Sequence, residues 1–165
     1  MKKFVTLAFL VLPFIALAQG ADSKTFINSV TLDGNSENVW NAITDFSTMN
    51  LWDDSIVDVR CKDGLAKNNH CKVIVGSGSI FDVEIVELIE GVSYTVRYKL
   101  SSGNVYIKRS LESDTSLQLT ETVWYTGMSK RTFEKYKGED YANALKARMV
   151  DFKKYLEEDL AERGQ

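Results

Sequence analysis

The chain has 165 residues, one histidine, two cysteines and a formal net charge of −3, a length that suits one domain with a real core. Its acidic balance excludes a nucleic-acid binder built on a basic face and argues against adsorption on anionic lipid surfaces. A histidine-built metal centre is excluded by number.

Lys2 and Lys3 precede an apolar run from Phe4 to Ala18, and Ala16-Leu17-Ala18 supplies the small-x-small pattern of a signal-peptidase site. That run is shorter than the roughly 20 residues a transmembrane helix needs, and the only proline, Pro13, interrupts it. Residues 1–18 therefore read as a signal peptide cleaved after Ala18; the alternative is an uncleaved anchor. The mature part, 19–165, is expected to be a single exported domain of net charge about −5, because two lysines leave with the leader. No later segment is apolar enough to span a bilayer, so stable membrane insertion is not expected.

Residues 24–32 read as a strand with Phe26, Val30 and Leu32 on one face. Asp33-Gly34-Asn35 is a turn, and Ser36 is the expected N-cap of a short helix, with Glu37 in its first turn. Val39, Trp40 and Ile43 form the buried stripe of that helix, which should end near Asp45. A second short helical turn is expected over Phe46–Trp52.

From Ser55 the chain reads as a meander of strands whose turns set the register. Glu90-Gly91 pairs Val96 with Ile85 and Tyr98 with Val83. Ser102-Gly103 pairs Tyr98 with Ile107 and Val96 with Arg109. The Ser113–Thr115 loop pairs Leu111 with Leu117 and Ile107 with Glu121, and Gly76–Gly78 pairs Val73 with Phe81. One face then carries Phe81, Val83, Ile85, Val92, Tyr94, Val96, Tyr98 and Leu100, followed by Val105, Ile107, Leu111, Leu117, Leu119 and Val123. The opposite face is polar, with Glu84, Arg97, Lys108, Thr120 and Thr122 among its residues. A one-residue slip would exchange the two sets, so their separation indicates one antiparallel sheet wet on one side.

Extended backwards, the register sets Val57, Val59 and Cys61 opposite Val75, Val73 and Cys71. Two cysteines facing each other across a hairpin lie within bonding reach, and export favours oxidation. A Cys61–Cys71 disulfide is expected, with two buried thiols as the alternative. After a linker at Gly127–Gly138, which has room for a helical turn at Arg131–Tyr136, the period changes. Tyr141, Leu145, Met149, Phe152, Leu156 and Leu160 recur every three or four residues along one face of a long helix.

The order of strand, two short helices, six-strand meander and long helix, with SENVWNAITDF at 36–46 and LWDDSIVDV at 51–59, resembles the START-related (SRPBCC) superfamily. That group includes the birch pollen allergen, the polyketide cyclase/dehydrase family and quinone-binding transport proteins. The resemblance implies an α+β helix-grip fold: a curved sheet of about seven strands around one C-terminal helix, with an internal cavity between them. It also implies a small hydrophobic ligand of the lipid, sterol, quinone or polyketide class. No cofactor is implied, and the protein is taken to act as a monomer.

The expected cavity lining comes from the apolar sheet face (Phe81, Val83, Tyr94, Val96, Tyr98, Ile107 and Leu119) and from the helix (Leu145, Met149 and Phe152). These side chains could instead pack into a solid core. Arg109 and Glu121 fall on the same apolar face as diagonal neighbours on adjacent strands. Buried there, each charge needs a partner, so they read as a paired anchor for a ligand headgroup, or as solvated residues near the sheet rim. Catalysis has little support. His70 falls beside a hairpin loop, and Gly76 and Gly78 form a turn with no following helix to bind phosphate. Noncovalent binding is therefore the leading reading. The alternatives are a cyclase/dehydrase-type enzyme using Arg109, Glu121 and a tyrosine, and an interaction module with a filled core.

Overall fold

The computed structural model describes residues 24–62 and 64–163, so the expected signal segment at 1–18 lies outside the described residues. β1 (Thr25–Leu32) leads into helix α1 (Ser36–Thr44) and a 3-10 turn (Phe46–Leu51). The meander follows as β2 (Ile56–Cys61), β3 (His70–Val75), β4 (Ile80–Ile89), β5 (Ser93–Leu100), β6 (Gly103–Glu112) and β7 (Leu117–Thr126). Helices α2 (Lys130–Lys137) and α3 (Tyr141–Arg163) complete the chain. The strands form one antiparallel seven-stranded sheet in the order β1-β7-β6-β5-β4-β3-β2. This is the expected curved sheet of a helix-grip architecture.

The N-cap of α1 is Asn35, one residue before the expected Ser36. The Asn35 side chain accepts the Asn38 N–H at 2.8 Å, which leaves Ser36 as the first helical residue. Val39, Trp40, Ala42 and Ile43 are the buried face of α1. The expected turn at 131–136 is a full helix, α2. Ser129 caps its start by accepting the Thr132 N–H at 3.2 Å, and Gly138 ends it with φ +92°. Phe133 anchors α2 by stacking on Tyr125 of β7 at 4.5 Å and on Phe26 of β1 at 5.3 Å between ring centroids.

Five pairings follow the expectation: Val83 with Tyr98, Ile85 with Val96, Val73 with Phe81, Val59 with Val73, and Cys61 with Cys71; Val75 faces Ile56 in place of Val57. Two hairpins are shifted by two residues. Tyr98 faces Val105 and Val96 faces Ile107 across β5–β6, while Leu111 faces Leu119 and Ile107 faces Val123 across β6–β7. An even shift preserves side-chain faces, so the apolar face survives. Its exceptions are Val57 and Val92, both exposed. Val57 falls at a bulge between Ile56 and Asp58, and Val92 lies in the loop before β5. Cys61 and Cys71 pair directly and are joined in a disulfide, with Cα atoms 4.2 Å apart.

α3 buries Tyr141, Leu145, Met149, Phe152 and Leu156 and packs against β1. It therefore lies toward the β1–β7 side of the sheet, leaving the concave surface of β2–β6 less covered. Among the described residues, no helix is long and apolar enough to cross a membrane.

Candidate functional site

The uncovered concave surface is the wall of a cavity of about 590 Å³. Alternate residues of successive strands point into it, as the pleat requires: Val73 and Cys71 of β3, Phe81 and Val83 of β4, Tyr94, Val96 and Tyr98 of β5, and Val105, Ile107 and Arg109 of β6. Ile56 and Val59 of β2, with Phe46 and Met49 of the 3-10 turn, close one side. Lys135, Tyr136 and Lys137 of α2, with Tyr141, Ala144 and Arg148 of α3, close another.

Seven of the expected lining residues are thus brought together: Phe81, Val83, Tyr94, Val96, Tyr98, Ile107 and Arg109. Leu119, Glu121, Leu145, Met149 and Phe152 are not in the lining. All five are fully buried in the packed core. The helix position explains the difference: α3 packs against β1, so its apolar stripe lies in the core and not in the cavity wall. No β7 residue borders the cavity.

Arg109 and Glu121 are directly opposed, not diagonal, and neither is at a solvated rim. Arg109 Nε donates to Glu121 Oε2 at 2.6 Å, and Arg109 Nη1 donates to the Tyr94 hydroxyl at 2.6 Å. Tyr94 in turn donates to the Ile43 carbonyl at 2.9 Å, tying the network to α1. The Trp52 ring lies 4.8 Å from the Arg109 guanidinium carbon, a favourable cation–π approach for a desolvated arginine. The other Glu121 oxygen accepts from Arg148 Nη2. Arg148 also donates to Asp53 at 3.3 Å and to the Tyr141 hydroxyl at 3.1 Å. Asp53 is held by the Ser55 hydroxyl at 2.5 Å and the Ser55 N–H at 3.1 Å.

These surroundings fix the charges. Burial opposes ionisation of Glu121, but Arg109 and Arg148 outweigh it and hold its carboxyl below the ordinary value. Burial likewise opposes charge on both arginines, and Glu121 overcomes it, so both stay protonated. Burial pushes the Tyr94 and Tyr98 phenols up. Lys137 is different. Burial, followed by repulsion from Arg148, pulls its ammonium down to about 8.

Arg148, Asp53 and Lys137 are absent from the expected site, and Tyr141 is expected only as part of the inward face of the long helix. Arg148 carried a usable signal: it falls seven residues after Tyr141 and three after Leu145, on the inward face of α3. His70 opens β3 and pairs with Asp82 at 2.6 Å on the exposed face, away from the cavity. Among the described residues no group of histidines, cysteines and carboxylates could hold a metal ion.

No family model matches the chain, and no curated protein matches it in sequence. Solved structures do. DynU16, a protein of the dynemicin biosynthetic locus, superposes with a TM-score of 0.64 at 15% identity, over 82% of this chain and 48% of its own. The di-domain ARO/CYC protein BexL of the BE-7585A pathway gives 0.60 at 11% identity, over 81% and 50%. Ara h 8.0201 gives 0.60 at 15% identity, over 80% and 96%. The chain therefore spans about half the length of the first two and nearly all of the third. At these identities the likeness is one of fold, and the fold is the helix-grip one.

Proposed function

We propose that the protein binds a small hydrophobic molecule noncovalently in this cavity and carries it outside the cytoplasm. The observation that carries the reading is the cavity itself. At about 590 Å³ with a mostly aliphatic and aromatic wall, it falls within the roughly 300–1,000 Å³ of small-molecule sites. Covering an apolar ligand there is favoured by about 25 cal/mol per Å² removed from water, before ordering costs. Export is supported by the leader-like residues 1–18 and by the Cys61–Cys71 disulfide. The ligand class, whether lipid, sterol, quinone or polyketide, follows the fold by analogy.

A cyclase-type reading is suggested by the ARO/CYC description of BexL. It finds little support in the residues first considered for it. Glu121 has no exposed surface and both its oxygens are engaged by arginines. A general base must reach the proton it removes.

Native mass spectrometry of the exported protein, before and after denaturation, tests the carrier reading. The expected result is a noncovalent adduct that extraction returns chemically unchanged. A bare-chain mass, with no uptake of any offered apolar probe, sinks the proposal; product distinct from the loaded compound replaces it with the enzyme.

A further inference from the structure

The cavity wall is mostly apolar, and the charged side chains in it do not balance. Arg109, Arg148, Lys137 and Lys135 line the cavity against one lining carboxylate, Asp53, with Glu121 behind the wall. The ion pairs within this group are Arg109–Glu121, Arg148–Glu121 and Arg148–Asp53. They use both Glu121 oxygens and leave Asp53 shared with Ser55. Lys135 is exposed at the mouth, where water serves it.

Lys137 remains. It is half-buried and joins no ion pair among the described residues. Its Nζ lies 4.9 Å from the Tyr98 ring centroid, over a cavity-lining face. Arg148, whose charge acts on Lys137, has its Nε buried with no hydrogen-bond partner among the described residues. An unpaired ammonium and an idle guanidinium donor against a greasy wall are unfavourable unless something neutralises them. They point the same way, although the chain as a whole is acidic.

We infer that the ligand ends in an anionic head, seated between Lys137 and Arg148, with its apolar body laid along Val73, Val83, Val96 and Ile107. A carboxylate or a phosphate monoester supplies the same chemistry: acceptor oxygens only, and charge-assisted hydrogen bonds to both cations. The inference rests on the carrier reading and narrows its ligand to amphiphilic anions. Bound at that position, the head also raises the proton affinity of Lys137, so binding favours its charged form. The other charged or titratable groups that act on it are Arg148, Asp53 and Arg109 in the lining, Glu121 behind the wall, and Tyr98 through its ring. The arginines stay protonated and Tyr98 is displaced upward, so Lys137 is the group that responds above neutrality.

The test compares hexadecanoate, hexadecyl phosphate and hexadecanol on the full exported protein, by calorimetry and native mass spectrometry. At neutral pH the anions are expected to bind about tenfold tighter than the alcohol. The acid-over-alcohol ratio should collapse in Lys137→Met, persist in Lys137→Arg, and shrink between about pH 7 and pH 9.5 as the ammonium deprotonates. A ratio near one in the unaltered protein overturns the inference, and that comparison stands even if Lys137→Met does not fold. A ratio undiminished in a folded Lys137→Met also overturns it. Binding of none of the three overturns it too, and cargo retained in the mass spectrum then leaves the carrier reading intact. Acid and phosphate are separated by which binds more tightly.

Discussion

Without the Glu121 carboxylate, Arg109 and Arg148 would share a desolvated wall with only Asp53 to offset them. Breaking a buried pair by removing one partner costs about 3–5 kcal/mol, so Glu121→Gln should lower the unfolding free energy in urea by that order. The same carboxylate gives a pH signature. Its pKa in the folded chain lies below the ordinary 4.5, so its stabilisation is complete above that value and is lost as the pH falls toward the depressed folded pKa. The melting temperature of the unaltered protein should therefore drop more steeply below about pH 4.5 than that of Glu121→Gln, measured by thermal circular dichroism. Equal slopes would place the acid response elsewhere. The placement of Arg109 and Glu121 on the inner face was legible in the sequence because strand parity alone decides it. Arg148 was not, because an arginine among lysines and glutamates on a helix reads as solvated unless its phase is followed. Lys137 sits in a segment too short for periodicity to speak.

Among the elements, the hairpins divide by what their glycines do. Gly78 and Gly91 have positive φ and open space around them; they serve the turns, and the pairings beyond those turns matched the expectation. Gly103 was read as part of a turn, but a Cβ there would lie 2.3 Å from the Thr126 carbonyl oxygen. Its role is close backbone approach to the end of β7, so the actual loop is Ser101-Ser102 and the register moves by two. No local pattern in β5–β6 announces a contact made with a third strand. The Cys61–Cys71 pair was legible because register alone brings the two together. Its loop is also tied back to the sheet: Asn68 N–H donates to the Ile85 carbonyl at 2.7 Å, and Ile85 N–H to the Asn69 carbonyl at 2.9 Å. A Cys61→Ala/Cys71→Ala double variant should lose about 2–3 kcal/mol. In hydrogen exchange the added opening should concentrate in β2, β3 and their loop. Uniform loss of protection across β5–β7 would contradict that local role.

For the whole molecule, register and periodicity indicated one antiparallel sheet and one long helix, and the helix-grip topology followed from the resemblance that this element order carries. The cavity boundary was harder to read. It depends on where α3 crosses the sheet, a three-dimensional offset that periodicity does not encode, and this is why the expected helix lining of Leu145, Met149 and Phe152 proved to be core. The distribution of charge along α2 and α3 has a further effect. The 23 residues of α3 extend about 34 Å. The preceding α2 carries Lys130, Arg131, Lys135 and Lys137 against Glu134, with Lys135 and Lys137 at the cavity, while the last turns of α3 carry Glu157, Glu158, Asp159 and Glu162 before Arg163. Together with the aligned peptides of α3, this gives the C-terminal helical segment a positive end toward the opening and a negative end away from it. Near a negatively charged body such a segment feels a torque before it feels net attraction. It turns the opening forward while the acidic remainder resists adhesion, so encounters are oriented and brief.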